Sequence, residues 1–183
     1  LESFRTEHPG IHLQILVGTR QRDLSRGEAE LAVQSPRPRQ QNLVAVRIGR
    51  AGLALFASKL LVRDGRWQIT SRDTLRGQPL LTYTSAFHML QEARWFQSLL
   101  MDVGACLETN STHTLLSAAR AGIGVAVLPR FVARWHDDLV RVSSDVSGHD
   151  VWLITHPEFR RGPKVRAAAE FLKRIASEPD GLR

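Results

Sequence analysis

The chain has 183 residues and a formal net charge of +7, with 43% hydrophobic and 23% charged residues. This composition is ordinary for a globular protein, no run reaches the roughly 18 apolar residues of a membrane helix, and the first residues lack a signal-peptide pattern. A single cysteine, Cys106, excludes an internal disulfide framework, so we expect a cytoplasmic protein without membrane contact.

The positive charge raises the question of nucleic-acid binding. The arginines are scattered among acidic residues and no aromatic residues are interleaved with them, as a binder of single strands would require. We therefore interpret the charge mainly as an arginine-rich surface. By itself, this chain does not look like a nucleic-acid reader.

The first predicted elements are a helix, a strand and a short helical turn. Residues 1–8 have the pattern of a helix that Pro9-Gly10 stops, and the alternation over residues 11–17 predicts a strand. A helical turn over residues 22–26 ends at Gly27. The segment AELAV predicts the next strand, and the loop PRPRQQN follows it.

Strands and helices alternate through the rest of the chain, which predicts parallel sheets joined by right-handed crossovers. Predicted strands are residues 43–48, 53–57, PLLTY, ACLET, 124–128, LVRV and DVWLI. Predicted helices are residues 89–100, 111–121, a segment from Pro129 to Trp135, and a last helix with Val165 and Ile175 on its apolar face.

Hydroxyl-bearing residues cluster at the ends of three predicted strands. In α/β sheets, ligands bind where strand carboxyl ends meet helix amino ends, whose free N–H groups and dipole favour anions. The candidate ligand-binding residues are Thr19, Arg20, Thr82, Tyr83, Thr84, Ser85, Asn110, Ser111 and Thr112. At one junction alone, Ser111 or Thr112 is more often just a helix cap. Three such junctions fit a shared cleft better than three unrelated caps.

Three segments together resemble the effector-binding domain of LysR-type bacterial transcriptional regulators. They are FRTEHPGIHLQILVGTRQRDLSRGEAELAV, TNSTHTLLSAARAGIGVAVLP and VWLITHPEFRRGPKVRAAAEFL, in the family's order and over nearly the whole chain. Glu30 stands where the family usually has aspartate. Such domains normally open with a further strand and a Ser/Thr-bearing loop, and a winged helix-turn-helix precedes them. Neither is in this sequence, so we expect a fragment of a longer protein.

The resemblance implies an α/β fold like that of type 2 periplasmic binding proteins, with two Rossmann-like lobes joined by the crossing strands LALFA and VWLIT. Residues 1–57 plus 151–183 would form lobe I, and residues 58–150 would form lobe II. A small effector, favoured to be anionic, would lie between the lobes on the nine candidate residues. The resemblance also implies no cofactor, a homodimer or tetramer, and DNA binding through the missing N-terminal domain.

Other functions have weaker support in the sequence. A solute-binding protein of a transporter shares the fold, but a secretion signal is missing. The seven histidines lack metal-ligand spacing, and Ser111 with His113 lacks the strand–elbow–helix context of a hydrolase. Cys106 is predicted to be a small core residue, and Trp135 a packing residue. We therefore expect neither an enzyme nor a metal site.

Overall fold

The structure, a computed structural model, describes residues 1–18, 22–62, 73–75, 77–84, 104–143, 147–178 and 182. The described helices are α1 (Glu2–Glu7), α2 (Thr112–Arg120), α3 (Arg130–Ala133), α4 (Pro157–Arg160) and α5 (Pro163–Ser177), with 3-10 turns at Leu24–Arg26 and Asp73–Leu75. The described strands are β1 (Leu31–Gln34), β2 (Val44–Ser58), β3 (Leu80–Tyr83), β4 (Leu107–Thr109), β5 (Val125–Pro129), β6 (Leu139–Arg141) and β7 (Ser147–Thr155).

The described strands form one mixed sheet in the order β1-β7-β2-β5-β3-β4, with β6 paired to β2. The chain divides into two compact units, Leu1–Arg50 with Asp150–Arg183, and Ala51–His149. Strands β2 and β7 each run through one of the two points of division. The predicted lobe limits at residues 57 and 151 stay a prediction.

In the first unit, the short helix α1 is held by the long helix α5. Phe4, only 2% exposed, lies edge-on to Phe171 of α5 with 5.0 Å between ring centroids. Arg174 of α5 donates a hydrogen bond of 2.8 Å to the Glu7 carboxylate, which lowers the pKa of Glu7 and raises that of Arg174. A buried aromatic pair beside an exposed ion pair therefore stabilises the contact, and the aromatic pair contributes most of the energy.

In the second unit, the sheet has an apolar core on each face. Strand β3 lies between β4 and β5 and is parallel to both. Successive β3 side chains point to opposite faces of the sheet. Leu80 therefore packs with Val125 on one face, and Leu81 packs with Leu115 of α2 on the other. The β3 backbone is thus covered from both directions and offers a rigid support for whatever follows its last residue.

The structure differs from the predicted elements in two strands. Residues 11–17 form no ladder with any described residue, and Leu13, Ile15, Leu16 and Val17 are 41–93% exposed. Alternation predicts a strand, but a strand also needs a partner for its backbone groups. Residues 43–48 and 53–57, predicted separately, belong to the single strand β2. The predicted helix over residues 89–100 lies outside the described residues.

Two single residues also differ from prediction. Cys106 is exposed rather than buried, because it immediately precedes β4, the last strand in the sheet order. Trp135 is 71% exposed, and the Arg134 guanidinium lies over its ring at 4.5 Å from the centroid. The guanidinium thus covers one face of an indole that is not buried in a hydrophobic core.

Over the described parts of the chain, no helix is both long and apolar enough to span a bilayer.

Candidate functional site

The carboxyl ends of β3 and β4 bring two of the predicted hydroxyl clusters together. Because the strands are parallel and Tyr83 is in register with Thr109, both end at the same level of the sheet. The Thr84 N–H, one residue past β3, donates to the Thr109 carbonyl oxygen at 3.0 Å. Residues 83–84 and 110–112, about 30 positions apart in sequence, therefore meet at one end of the sheet.

A hydrogen bond between side chains joins the end of β3 to the head of α2. The Tyr83 hydroxyl lies 3.0 Å from Thr112 Oγ1, and either oxygen can be the donor. Tyr83 is 5% exposed and its ring packs in the same core as Leu115 of α2. The ring anchors the residue, and the hydroxyl then fixes where the first turn of α2 begins.

Ser111 acts as the N-cap of α2. Its backbone is extended, with φ −118° and ψ 117°, and its Oγ accepts the Thr114 N–H at 3.2 Å. The Ser111 N–H in turn donates to Thr109 Oγ1, also at 3.2 Å. The Ser111 hydroxyl therefore already satisfies one of the N–H groups that a helix leaves unpaired. Thr109 was not among the predicted site residues, although it belongs to the same polar run.

Donors at the head of α2 remain unused. The backbone N–H groups of Thr112 and His113 have no acceptor among the described residues. The Asn110 side chain is exposed, and within the described chain its amide has no hydrogen-bond partner. A carboxylate or phosphate oxygen placed there would accept from the N–H groups and from the amide, at the positive end of the helix dipole.

Thr82 lies on the other face of β3. It is 2% exposed, and alternation along the strand places its side chain on the side of Leu80 rather than with Tyr83 and α2. Its Oγ1 is buried without a hydrogen-bond partner among the described residues. The structure thus separates Thr82 from the hydroxyls at the head of α2.

The glycines after α2 explain how the helix returns so tightly to the sheet. Gly122 has φ +75°, a left-handed conformation that ends the helix at low cost. Gly124 has almost no room, because an added Cβ would lie 2.2 Å from the Pro79 carbonyl oxygen. That same oxygen accepts the Val125 N–H at 2.8 Å. Close approach of the backbones locks β5 beside β3.

The far end of α2 is fixed by an ion pair. Arg120 Nε donates to both carboxylate oxygens of Asp138, at 3.1 and 2.8 Å. This hydrogen bond holds the pKa of Asp138 below its usual value. A cation in the last turn also suits the negative end of the helix dipole. Helix α2 is thus tethered at both ends, which fixes the orientation of its free N–H groups.

The net charge of the candidate site depends on all nine predicted residues, of which the structure describes six. The described members are Thr82, Tyr83, Thr84, Asn110, Ser111 and Thr112, and none of them is a cation. Thr19, Arg20 and Ser85 lie outside the described residues. Within the described residues, no group of three or more His, Cys, Asp or Glu is placed to hold a metal ion.

Comparison with known proteins gives one family and many structural neighbours. The family described as the LysR substrate binding domain matches residues 1–177. A relative from Haemophilus influenzae, an uncharacterised HTH-type transcriptional regulator, is 27% identical over 135 residues. The match covers 72% of this chain and 46% of that protein, so the chain spans about half the length of the relative.

Two solved structures show the same fold. The regulatory domain of CrgA, a LysR-type regulator from Neisseria meningitidis, has a TM-score of 0.77 at 15% identity, covering 94% of this chain and 88% of that one. The regulatory domain of CcmR from Synechocystis PCC6803, solved in complex with 2-PG, has a TM-score of 0.71 at 15% identity, covering 97% and 89%. Such domains have the type 2 periplasmic-binding-protein-like fold, so the predicted fold class is confirmed.

Proposed function

The chain belongs to the LysR substrate-binding domain family, and we propose that it binds a small anionic effector at the head of α2. One observation carries the proposal: the free N–H groups of Thr112 and His113 lie beside the exposed Asn110 amide, where β3 and β4 end. That CcmR was solved with 2-PG is consistent with an anionic ligand in a domain of this fold. Contributions from Thr19, Arg20 and Ser85 remain part of the prediction.

In the proposed site the described residues have different roles. Asn110 contacts the effector directly, while Ser111 and Thr112 orient the first turn and present its backbone donors. Tyr83 positions the first turn of α2 through Thr112, and Thr84 holds the end of β3 beside the end of β4. A helix amino end contributes about 0.3–1 kcal/mol when exposed and up to about 2 kcal/mol when partly buried, so other groups must supply the rest of the affinity.

We propose that the whole protein is a DNA-binding regulator that works as a homodimer or tetramer. Its DNA would be bound by a separate N-terminal winged helix-turn-helix domain. Effector binding would favour one arrangement of the protein over another, and each tenfold shift in population requires about 1.4 kcal/mol of differential affinity. Family membership favours this role over that of a transporter component. It also supports a cytoplasmic location and the absence of catalysis, because the family consists of regulators.

Calorimetric titration of the full-length regulator with a panel of carboxylate and phosphate metabolites tests the proposal. The substitution Asn110→Ala should weaken the binding of a hit about tenfold, because it removes an exposed side-chain donor that has no partner within the described chain, and should leave the unfolding temperature unchanged. The substitution Ser111→Ala should instead lower stability by about 0.5–2 kcal/mol through loss of the cap.

Ser117→Ala provides the matched control, since Ser117 is exposed on the same helix but lies away from its head. Binding by this variant should equal that of the unmodified protein. Equal affinities in the Asn110 and Ser117 variants would place the ligand elsewhere and contradict the proposed site. Finding no binder in the panel, together with unaltered operator affinity, would count against the sensor itself.

A further inference from the structure

A concave site lies in the unit formed by Leu1–Arg50 and Asp150–Arg183. It has a volume of about 390 Å³, within the roughly 300–1,000 Å³ of small-molecule pockets. We call it the arginine groove, and its lining residues are Val44, Pro157, Arg160, Arg161 and Arg166. Three basic residues and two apolar residues thus line one small concavity.

The three arginines have no ion pair with any residue that the structure describes. The nearest acid in sequence, Glu158, is 82% exposed and its closest charged contact is His156, at 3.7 Å. By contrast, the described arginines Arg120 and Arg174 each donate to a carboxylate. The groove therefore brings together three arginines that form no ion pair within the described chain.

The position of these charges opposes folding stability. Arg161 and Arg166 flank the start of α5, where no acidic residue occupies the first turn, and Arg160 is the last residue of the short helix α4 beside them. Cations are unfavourable at the positive end of a helix dipole, and like charges at close range repel each other. Since no described carboxylate offsets this cost, an external anion is the group that would relieve it.

We propose that the arginine groove binds a small phosphate compound, either free phosphate or the phosphate group of an ester. Each guanidinium presents a planar fork of donors, and a phosphate group has three terminal acceptor oxygens, whereas a carboxylate has two. Val44 and Pro157 form the apolar part of the lining. A DNA backbone would require basic residues along an extended surface rather than around a pocket.

Calorimetric titration of the chain with inorganic pyrophosphate tests the proposal. The triple substitution Arg160→Gln, Arg161→Gln and Arg166→Gln removes three positive charges from the groove. Pyrophosphate should bind the unmodified chain with one saturable site, and the triple variant should lose at least tenfold in affinity. Without ligand, the variant should melt at an equal or higher temperature, because the repulsion has been removed.

A matched control removes the same charge elsewhere in the same unit. Arg5, Arg39 and Lys173 are exposed and have no ion pair within the described chain, and their replacement by Gln should leave pyrophosphate binding unchanged. If both triple variants lose pyrophosphate affinity equally, net charge alone explains the loss and the proposal is overturned. If the groove variant unfolds, the single substitution Arg161→Gln gives the same comparison.

Two further results would overturn the proposal. One is the absence of saturable pyrophosphate binding to the unmodified chain. The other is a groove variant that loses affinity for a random DNA duplex while no pyrophosphate site is found in the unmodified chain. The groove would then be part of a surface that binds polyanions in general. The effector site at the head of α2 is tested by other residues, so either site can fail without the other.

Discussion

At the scale of single residues, most polar side chains of the candidate site are hydrogen-bonded within the protein, and Asn110 is available to a ligand. The hydroxyls of Tyr83 and Thr112 bond each other, and Ser111 Oγ caps α2. Asn110 is the described member whose side chain is exposed and has no partner within the described chain. Of these predicted residues, three therefore stabilise the local structure, and Asn110 is available to contact the proposed ligand.

The bond between Tyr83 and Thr112 makes a direct prediction. Tyr83→Phe keeps the packed ring and removes the hydroxyl, so the free energy of unfolding should fall by about 0.5–1.5 kcal/mol. Urea unfolding of Tyr83→Phe, Thr112→Val and the double variant measures the coupling between the two oxygens. Because each substitution removes the same bond, the double variant should lose less than the sum. Simple additivity would show that the hydroxyls stabilise the fold independently.

The tight packing around Gly124 predicts that adding one methyl group destabilises the protein more than removing the Tyr83 hydroxyl does. In Gly124→Ala the new methyl would lie 2.2 Å from the Pro79 carbonyl oxygen, a backbone atom that cannot rotate away. Displacing packed strands typically costs about 1–3 kcal/mol, and the free energy of unfolding should fall by at least that amount. Gly10→Ala is the control, since nothing lies within 4 Å of its added Cβ. A Gly124 variant as stable as the control would contradict the close approach of β5 and Pro79.

At the level of elements, pattern and outcome agree where an element meets its partners within the described chain. The run from Thr112 to Leu128 gave both α2 and β5 because its polar cap, apolar face and glycines act locally. Residues 11–17 have equally good alternation, yet they pair with no strand that the structure describes, and residues 12–17 are exposed. Their expected strand depends on a neighbour, and alternation contains no information about whether that neighbour is present.

Helix α2 also gives a pH prediction through its last residue. Arg120 lowers the pKa of Asp138 below its usual value of 3.8, mainly by hydrogen bonding. A carboxylate with a lowered folded-state pKa stabilises the protein above its unfolded-state pKa, and this contribution disappears as the pH falls through the lower value. The stability difference between the unmodified chain and Asp138→Asn should therefore persist at neutral pH and shrink below 3.8.

Chemical denaturation across this pH range measures the difference. Asp137→Asn is the control, because Asp137 is the exposed neighbour and has no ion pair within the described residues. Its substitution removes the same charge without removing the bond to Arg120. A difference between the Asp138 variant and the unmodified chain that stays constant down to low pH would mean that the ion pair does not stabilise the fold.

For the whole molecule, two strands run through the points at which the chain divides into units, and the predicted lobe limits stay a prediction. LALFA and VWLIT, predicted to cross between lobes, belong to β2 and β7, which run through the points of division at Arg50 and Asp150. The limits themselves depend on how far each strand continues, and β2 continues unbroken through Gly49 and Gly52. Glycines alone do not end a strand that pairs with neighbouring strands along the sheet.

Continuous strands predict that the two units unfold together. Residues 53–57 of β2 belong to the cores of the second unit, and residues 44–50 of the same strand belong to the first. Phe4→Ala removes a buried ring from the first unit and should cost about 3–5 kcal/mol. Loss of order in the first unit would leave the start of β2 unsupported, so amide protection should fall in β5 of the second unit as well.

Native-state hydrogen exchange measured peptide by peptide tests this coupling. Leu1→Ala is the control, since Leu1 is 76% exposed beside the same helix and its loss should leave protection unchanged in both units. If Phe4→Ala lowers protection only within residues 1–50 and 150–183, the units are independent despite their shared strands. A parallel loss in β5 would instead mean that β2 and β7 transmit stability along their length, which is the property a ligand-driven change between two units requires.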